Sequence, residues 1–389
     1  MNLMKKQDRK MKILINALTA QIGGGKTYII NLLKHLPPEY DITILAGAYN
    51  IEAFLPYKRD NVTFEVLSKY LTNPFVRFFW ELLILPVFLL RHKFGAYFSA
   101  GGTLFTLPVP GVIMSTALRN MLPLDKRERQ RFPLFSSVRF KFWVLRTIYL
   151  ISYRIADRIV FISEYSRDCV CELYPGAKKK SKIIYHGLND KFHHPEQVDF
   201  DLTQFGLKEK AFYLYVSRLD VYKAQLELVE EWRKLRDGGF TYPLVLVGET
   251  NGQYGQKVFD RIKEYGLENM VICTGAIPND KLPGLYRQAR ALVFASSCEC
   301  CPNILLEMMS AGRPVFSSSI PPMPEIGGDA VVYFDPYSIG VLSSMIIEAE
   351  SNFDEFEKKG TLIRERSKSF DWNITVRRTL EYVTGNDIN

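Results

Sequence analysis

Short apolar runs alternate with longer amphipathic stretches in the first half of the chain. The apolar runs that predict strands are residues 11–18, 40–45, 96–99, 111–115, 158–162 and 183–185. The first run leads into a glycine-rich turn at Gly23, Gly24 and Gly25, and a helical pattern follows over residues 27–36. Strand, turn, helix and strand in this order predict a parallel sheet with helices packed on its faces.

The same pattern starts again in the second half, after a polar stretch at residues 189–201 that we interpret as a linker. Strands are predicted there at residues 211–216, 244–247, 271–273, 291–294 and 315–316. We therefore predict an α/β protein with two Rossmann-like, doubly wound domains that face a central cleft. The predicted divisions are a first domain at residues 1–195, a second at 196–370, and a final helix at 371–389 that packs back on the first domain.

The length of 389 residues suits two domains, and the charge narrows the class of ligand. There are 50 lysine and arginine residues against 42 aspartate and glutamate residues, and the net charge of +8 favours anionic ligands. The basic residues are scattered and form no recognised nucleic-acid module, so we expect no nucleic-acid partner. Residues 1–10 are basic and polar, so we expect a cytoplasmic protein without a secretory signal.

The six cysteines predict reduced thiols rather than a metal centre. Cys298, Cys300 and Cys301 cluster around Glu299, but the cluster lacks the C-x-x-C spacing of zinc sites and has no histidine nearby. We therefore predict that the protein binds no metal.

Two stretches have compositions that are found at membranes. Residues 82–90 are continuously apolar, but charged residues bracket this short run, whereas a spanning helix needs about 20 residues. We interpret the run as a buried core helix. Residues 139–154 mix aromatic and aliphatic side chains with arginines and a lysine. That mixture fits either a helix on a membrane surface or a core helix with a basic outer face.

Glu299 and Glu307 form the first chemical motif. Pro302 suits the first turn of a helix, which makes Cys301 the predicted N-cap and residues 303–311 the helix body. At 1.5 Å per residue, Glu307 then lies roughly 8 Å along the axis from the helix start. The free amides at a helix start attract phosphates, and carboxylates at two depths can accept hydrogen bonds from two diols. A solvated Glu299 beside an ordinary capped helix is the structural alternative.

Arg218 and Lys223 form the second motif, directly after the predicted strand at 211–216. A diphosphate leaving group needs fixed positive charge while its bond to the rest of the substrate breaks. Arginine and lysine at the carboxyl end of a strand can supply that charge without a metal. An ordinary pair of surface cations is the alternative interpretation.

These elements together resemble the retaining glycosyltransferases of the GT-B fold, and more narrowly family four, the "group 1" transferases. The stretches SRLDVYK (217–223), LVLVGE (244–249), TGAIPNDKLPGLY (274–286) and the Glu299–Glu307 motif stand in the family's order. Looser matches in the first half are GGGKTYIINLL, ADRIVFISEYSRD and IIYHGLND. The resemblance implies a metal-independent transfer from a UDP- or GDP-sugar to a hydroxyl acceptor, with retention of configuration and with no cofactor.

Carried over by position, the resemblance implies that Arg218 and Lys223 hold the donor diphosphate. It also implies that Glu307 binds the ribose hydroxyls and that Glu299 contacts the transferred sugar, with covalent attack by Glu299 as a less favoured variant. The further donor contacts implied are Cys301, Asn303 and Ile304 through the main chain, Ala276 and Ile277 beside the base, and Gly24 and Gly25 in the first domain.

One departure from the family concerns the acceptor side. Many relatives carry a histidine after a strand of the first domain, facing the sugar, but the matching residues 115–123 contain none. Arg119 and Asn120 stand near that place and are the candidates there. His186 is predicted to belong to the hinge between the domains. The implied acceptor is a glycan or lipid-linked sugar of bacterial surface polysaccharide assembly, at the inner membrane face.

Two other classes of protein compete with a transferase. Residues 20–27, AQIGGGKT, are one glycine short of the phosphate loop G-x-x-x-x-G-K-[ST], which would indicate a nucleotide hydrolase or kinase. Ala20 occupies the place of the missing glycine, and no convincing acidic strand for magnesium follows. The other alternative is a non-catalytic sugar-nucleotide-binding protein, and the presence of all four charged residues of the two motifs argues against it.

Overall fold

The computed structural model describes residues 11–21, 23–250 and 252–386, so the predicted basic start at residues 1–10 lies outside the described residues. The chain folds as two compact units. The first unit contains residues up to Gly187 together with the segment from Trp372 onward, and the second runs from Leu188 to Asp371. The division predicted after residue 195 therefore falls inside the second unit.

The described residues of the first unit contain one parallel sheet. Its strands are β1 (Lys12–Asn16), β2 (Asp41–Gly47), β3 (Val62–Leu67), β4 (Ala96–Ser99), β5 (Ile113–Ala117), β6 (Arg158–Phe161) and β7 (Ser181–Ile183). They lie in the order β3-β2-β1-β4-β5-β6-β7. The order reverses direction between β1 and β4, which is the switch point of a doubly wound sheet. Ile13, Leu14 and Ile15 of β1 are wholly buried, as expected for a strand covered on both faces.

Helices cover this first sheet. They are α1 (Gly23–Lys34), α2 (Pro74–Leu83), α3 (Leu85–Arg91), α4 (Lys126–Gln130), α5 (Ser137–Ile155), α6 (Glu164–Cys171) and α14 (Trp372–Thr384), the last named by its place in the chain. Helix α14 packs against β4, β5 and α1, so the last helix completes the core of the unit that the chain begins.

Two local predictions for the first unit are wrong. Gly23, Gly24 and Gly25 do not form a turn before the helix but are its first three residues, and Gly23 adopts a left-handed φ of +61°. The apolar run at 82–90 is not one core helix. Its first residues end α2, and the rest form most of α3. Leu85 and Leu89 are buried in the core, whereas Leu83 is 61% exposed at the surface.

The second unit repeats the architecture with a smaller sheet. Among its described residues the strands are β8 (Tyr213–Val216), β9 (Leu244–Val247), β10 (Val271–Gly275), β11 (Ala291–Phe294), β12 (Val315–Ser318) and β13 (Val332–Phe334). Their order is β10-β9-β8-β11-β12-β13, all parallel, with the switch point between β8 and β11. The prediction of two doubly wound α/β units is confirmed.

The helices of the second unit are α7 (Gln225–Asp237), α8 (Gln253–Glu264), α9 (Leu282–Gln288), α10 (Asn303–Ser310), α11 (Met323–Gly327), α12 (Val341–Ser351) and α13 (Phe353–Ser367). The stretch at 189–201 is not an extended linker. It contains short 3-10 turns at Asp190–Phe192 and Pro195–Gln197, and Phe192 is wholly buried. Across the described ranges, no helix combines the length and the apolar character that a membrane span requires.

Candidate functional site

The sequence motifs of the second unit meet at the switch point of its sheet. Strand β8 ends at Val216 and leads to Arg218 and Lys223, and the neighbouring strand β11 ends at Phe294 and leads to Glu299. Because ligands of such sheets bind beyond the carboxyl ends of the strands at this point, the topology by itself makes this edge the candidate site.

Lys223 and Glu299 form a buried ion pair there. The Lys223 ammonium donates to Oε1 of Glu299, and their side chains are only 6% and 18% exposed. Burial opposes the charge of the lysine, but the Glu299 carboxylate and the Tyr222 phenol raise the pKa of Lys223 above its ordinary value. Ser296 also donates to Oε1 of Glu299, at 2.8 Å. Both charged groups are therefore fixed in place before any ligand arrives.

Arg218 lies at the exposed rim of the same site. Its Nη2 donates to the Tyr222 hydroxyl at 3.0 Å and lies 3.2 Å from Oδ2 of Asp220, and the side chain is 57% exposed. An exposed pair of this kind contributes little to stability. The arginine can therefore exchange Asp220 for another anion. Burial lowers the pKa of Arg218, but Tyr222, Asp220 and Glu299 outweigh it and raise the pKa above its ordinary value.

Helix α10 begins directly after Glu299 and carries Glu307. The predicted N-cap is wrong by one residue, because Pro302 rather than Cys301 is the cap and α10 runs from Asn303 to Ser310. Pro302 has no side-chain oxygen with which to cap, and the first helical residues, Asn303 and Ile304, are only half-buried. The Asn303 amide donates to the Cys301 carbonyl at 2.9 Å, so the main chain rather than a side chain closes this helix start.

Glu307 lies in the second turn of α10, half-buried. Burial raises the pKa of this carboxyl to about 8, although the nearby Lys191 acts in the opposite direction. In the ligand-free molecule the carboxyl is thus largely protonated at neutral pH. Its surroundings differ from those of Glu299, which is paired with a lysine, so the two acids are chemically distinct.

The remaining candidates of the second unit lie in the loop after β10. Ala276 is exposed and Ile277 half-buried, and they follow Gly275, whose φ is +75°. The Gly275 carbonyl accepts from the amide of Gly248 at 2.9 Å, which ties this loop to the end of β9. The two residues thus stand at the carboxyl edge of the sheet, two strands away from β8.

Several residues of the site were not predicted from the sequence. Tyr222 contacts both cations, with Lys223 Nζ 4.9 Å from its ring centre, and its position inside the motif SRLDVYK was the available signal. Gln225 is wholly buried and donates to the carbonyl of Arg218 at 3.0 Å, which shapes the loop. Gly248 packs so closely on this loop that a Cβ atom there would overlap the carbonyl of Ser217.

The first unit places its candidates along the carboxyl edge of the other sheet. Gly24 and Gly25 start α1 after β1, and a Cβ atom at Gly24 would meet nothing within 4 Å, so open space lies beside the backbone there. Asn120 follows β5 and is exposed, and its Oδ1 accepts from the amide of Leu122 at 3.2 Å.

Arg119 belongs to a compact aromatic cluster. Its Cζ lies 3.3 Å from the ring centre of Tyr28, its Nη1 lies 2.6 Å from Nε2 of His186, and its Nε donates to the Ala100 carbonyl at 2.7 Å. The His186 ring in turn stacks on Trp372, with the ring centres 5.3 Å apart. His186 lies one residue before the first segment of this unit ends, so its assignment to the hinge stays a prediction.

The cysteines around Glu299 are buried thiols. Cys298, Cys300 and Cys301 are free of disulfides. Within the part of the chain that the structure describes, no group of three His, Cys, Asp or Glu side chains is arranged to hold a metal ion.

Sequence relatives of the chain are glycosyltransferases. Residues 198–365, nearly all of the second unit, match the family model described as Glycosyl transferases group 1. The O-antigen chain mannosyltransferase B of Escherichia coli is 25% identical over 228 residues, which are 58% of this chain. The chain spans 60% of the length of that relative.

Solved structures with the same fold cover almost the whole chain. A glycosyltransferase from Rickettsia africae ESF-5 has a TM-score of 0.76 over 97% of this chain and 99% of its own, at 16% identity. Anabaena HepE, crystallised with UDP and glucose, has a TM-score of 0.72 over 96% of this chain and 100% of its own, at 17% identity. The predicted GT-B fold is confirmed.

Proposed function

Because most of its second unit matches the family model of the group 1 glycosyl transferases, we propose that this protein transfers a sugar from a nucleotide-diphosphate donor to a hydroxyl acceptor, with retention of configuration. One observation carries the proposal: Arg218, Lys223 and Glu299 gather at the switch point of the second sheet, beside the start of α10. This arrangement suits a ligand with negative charge at one end and hydroxyl groups at the other.

The two cations have complementary roles in the proposed reaction. Arg218 exchanges its exposed contact with Asp220 for the donor diphosphate, and Lys223, which is buried and fixed by Glu299, supplies positive charge that cannot move away. As the glycosidic bond breaks, negative charge grows on the diphosphate, and fixed donors stabilise it most at that moment. We propose that no metal and no cofactor takes part.

The acidic residues bind hydroxyl groups of the donor. Glu299, whose Oε1 already accepts from Lys223 and Ser296, contacts the transferred sugar, and Glu307 binds the ribose. Main-chain groups of Cys301, Asn303 and Ile304 bind phosphate and sugar at the helix start, where the helix dipole favours negative charge. The other donor contacts that we propose are Ala276 and Ile277 at the base, and Gly24 and Gly25 of the first unit.

We propose that the leaving diphosphate takes the proton of the acceptor hydroxyl on the same face of the sugar. This route needs no separate general base, and it leaves the Lys223–Glu299 pair intact throughout. Covalent attack by Glu299 is the less favoured variant, because Lys223 and Ser296 donate to its carboxylate and make it a weaker nucleophile.

The acceptor is proposed to be a lipid-linked sugar at the inner membrane face. Arg119 and Asn120, which follow β5, stand on the acceptor side. Helix α5 presents Phe140 and Trp143 to solvent beside basic residues, which suits contact with a membrane surface. The name of the mannosyltransferase relative, which acts on the O-antigen chain, supports a role in surface polysaccharide assembly.

A thermal-shift series with UDP-, GDP-, ADP- and CDP-sugars tests the donor class. A ligand that binds only the folded protein raises its melting temperature, so one base should stand out. The UDP complex of HepE makes UDP-sugars the first choice, and the mannosyltransferase relative makes GDP-mannose the second. If no sugar nucleotide shifts the melting temperature, the proposed donor site is wrong.

The stereochemistry and the metal requirement are tested on the product. With the donor so identified and an acceptor found, NMR of the new glycosidic bond should show the anomeric configuration of the donor, and EDTA should leave turnover unchanged. An inverted product contradicts the proposed mechanism. Magnesium-dependent ATP hydrolysis without any acceptor would instead favour the phosphate-loop interpretation of residues 20–27.

A further inference from the structure

A charged cavity lies in the first unit, and none of the residues assigned to the donor lines it. It has a volume of about 530 Å³ and lies beyond the carboxyl ends of β5 and β6, where α4 and α6 begin. The side chains that line it include five cations and two carboxylates: Lys126, Arg127, Arg129, Arg139, Arg146, Asp125 and Glu172. Its net charge, with five positive and two negative groups, is +3.

Three of the arginines repel one another in this cavity. Arg129, Arg139 and Arg146 are half-buried, and across the described ranges none of them forms an ion pair with a carboxylate. Arg129 donates to the Asp125 carbonyl at 3.3 Å, and Arg139 donates to the Phe132 carbonyl at 3.1 Å. Burial, followed by the charges of Arg146 and Arg139, lowers the pKa of Arg129. Like charges held together in this way are stabilised by a bound anion.

The two carboxylates offset the positive charge of the cavity only in part, and Asp125 raises the pKa of Arg129 less than burial and the other two arginines lower it. Asp125 caps α4, because its Oδ1 accepts from the amides of Arg127 and Glu128 at 2.8 and 3.1 Å. Its Oδ2 accepts from the Tyr165 hydroxyl at 2.8 Å. Glu172 is exposed at the end of α6. The positive charge of the cavity is therefore available to a ligand.

An apolar groove of about 550 Å³ adjoins the cavity and shares Arg139 with it. It is lined by Leu134, Phe135, Ser136, Ser137, Phe140 and Trp143. Its aromatic side chains point into solvent: Phe135 is fully exposed and Trp143 is 59% exposed. Exposed aromatic side chains beside arginines are typical of surfaces that insert at the level of lipid headgroups. A soluble phosphate ester would use the cavity but would leave this groove empty.

We propose that the basic cavity binds the phosphate headgroup of an anionic membrane phospholipid while the aromatic groove contacts the lipid's apolar part. The inference deepens the proposed membrane contact of α5 and rests on it. It does not involve the charged donor residues Arg218, Lys223, Glu299 and Glu307, which belong to the other unit. Arginine suits this role because its planar guanidinium group binds phosphate oxygens in pairs.

Co-sedimentation of the full chain with vesicles tests the site. We expect binding to phosphatidylcholine vesicles that contain phosphatidic acid, and little binding to phosphatidylcholine alone. The variant R129Q/R146Q should bind the acidic vesicles about 30-fold more weakly, since each cation near an anionic surface contributes about 1 kcal/mol. The matched control K178Q/K179Q removes two exposed charges elsewhere in the same unit and should stay close to wild type. Equal losses in the two variants would mean diffuse attraction and would overturn the headgroup site.

A second pair of variants separates a lipid from a soluble phosphate ester. F135S/W143S should weaken vesicle binding, whereas the control F75S/F79S, which alters exposed aromatic residues of α2, should not. If F135S/W143S binds like wild type and millimolar glycerol 1-phosphate displaces the vesicles, the ligand is soluble and the lipid assignment is wrong. Melting curves verify that each variant is folded. The melting-temperature shift given by the sugar nucleotide should be unchanged in R129Q/R146Q, so failure of this proposal is distinguishable from failure of the donor site.

Discussion

Arg119 and Arg218 both follow the carboxyl end of a central strand, one in each unit, yet they are held in opposite ways. Arg218 is mostly exposed and contacts a carboxylate and a phenol at the surface. Arg119 is packed on the Tyr28 ring and tied to His186 and to a main-chain carbonyl. The first arrangement can be exchanged for a ligand at little expense in stability, whereas the second fixes the side chain before any ligand arrives.

Because the two arginines are held differently, the loss of a side chain should affect a different property in each unit. Where a side chain is held by aromatic packing, its loss should appear in stability. Where it is held by an exposed ion pair, its loss should appear in catalysis. Three variants test this distinction, and they are ordered by the size of the expected effect.

The largest effect is expected for Trp372→Ala. Trp372 is 3% exposed, and its ring stacks on His186 and lies against Tyr28. Removing a buried tryptophan leaves a cavity and costs about 4 kcal/mol, so the free energy of unfolding of the first unit should fall by that amount. Chemical denaturation measures the change. Trp143→Ala removes an exposed ring and serves as the control, with an expected change within about 0.5 kcal/mol.

The next effect is expected for Arg218→Ala. Turnover should fall by about a hundredfold or more, on the order of 3 kcal/mol, because the variant lacks the cation that contacts the leaving diphosphate directly. Stability should change little, since the arginine is exposed. Arg233→Ala removes an arginine that pairs with Glu230 on α7 and is the matched control for charge. Near-normal transfer by the Arg218 variant would remove this residue from the mechanism.

The smallest effect is expected for Glu307→Gln, and it should appear in how donor affinity depends on pH. A carboxylate that accepts from two ribose hydroxyls must be ionised, whereas burial raises the pKa of this carboxyl to about 8. Donor affinity should therefore increase as the pH rises through 8. In Glu307→Gln the affinity should be about tenfold weaker at high pH and independent of pH. Titration calorimetry at several pH values measures both, and a pH-independent wild type would contradict the ribose assignment.

The Glu307 carboxyl also makes the stability of the protein depend on pH. Its folded pKa is raised above the ordinary value of 4.5, so the folded state holds the proton more tightly than the unfolded state does. Stability is therefore highest below the ordinary pKa and declines as the pH rises towards 8. Glu307→Gln should remove this decline, which melting curves across that range can follow.

The candidate site of the second unit could be predicted from the sequence because its charged residues follow the ends of neighbouring strands of the sheet. The strands 244–247 and 291–294 were predicted with the bounds that the structure shows, and Lys223 and Glu299 meet as the topology requires. The Pro302 cap was missed because proline is typical of the first helical position, whereas here it stands one residue before the helix.

The first unit was less predictable because its burial does not follow hydrophobicity. In α2 the buried side chain is Glu81, which accepts from Asn16 at 3.1 Å, while Leu83 of the same helix faces solvent. Burial raises the pKa of Glu81 to about 7, against the opposing effects of Asn16 and Arg77. An apolar run without a helical period gives no signal for which face will be covered, so a core helix was expected where the structure has a surface.

One side of helix α5 is buried, as the core interpretation of residues 139–154 requires, and membrane contact of its exposed side stays a prediction. Phe142 and Tyr149 of α5 are buried, as a core helix requires. Phe140 and Trp143 of the same helix are exposed beside Arg139 and Arg146, as a membrane-surface helix requires. Sequence alone left the choice open because both sets of side chains are aromatic.

Because the chain returns to its first unit at Trp372, a single cut cannot separate the two units. A fragment cut after residue 187 would keep every strand of the first sheet but would lack α14, so the hydrophobic surface over β4 and β5 would be left uncovered. The second unit, by contrast, is an uninterrupted insertion from Leu188 to Asp371. To isolate the first unit, an artificial linker must join Gly187 to Trp372. The second unit can be expressed directly as residues 188–371.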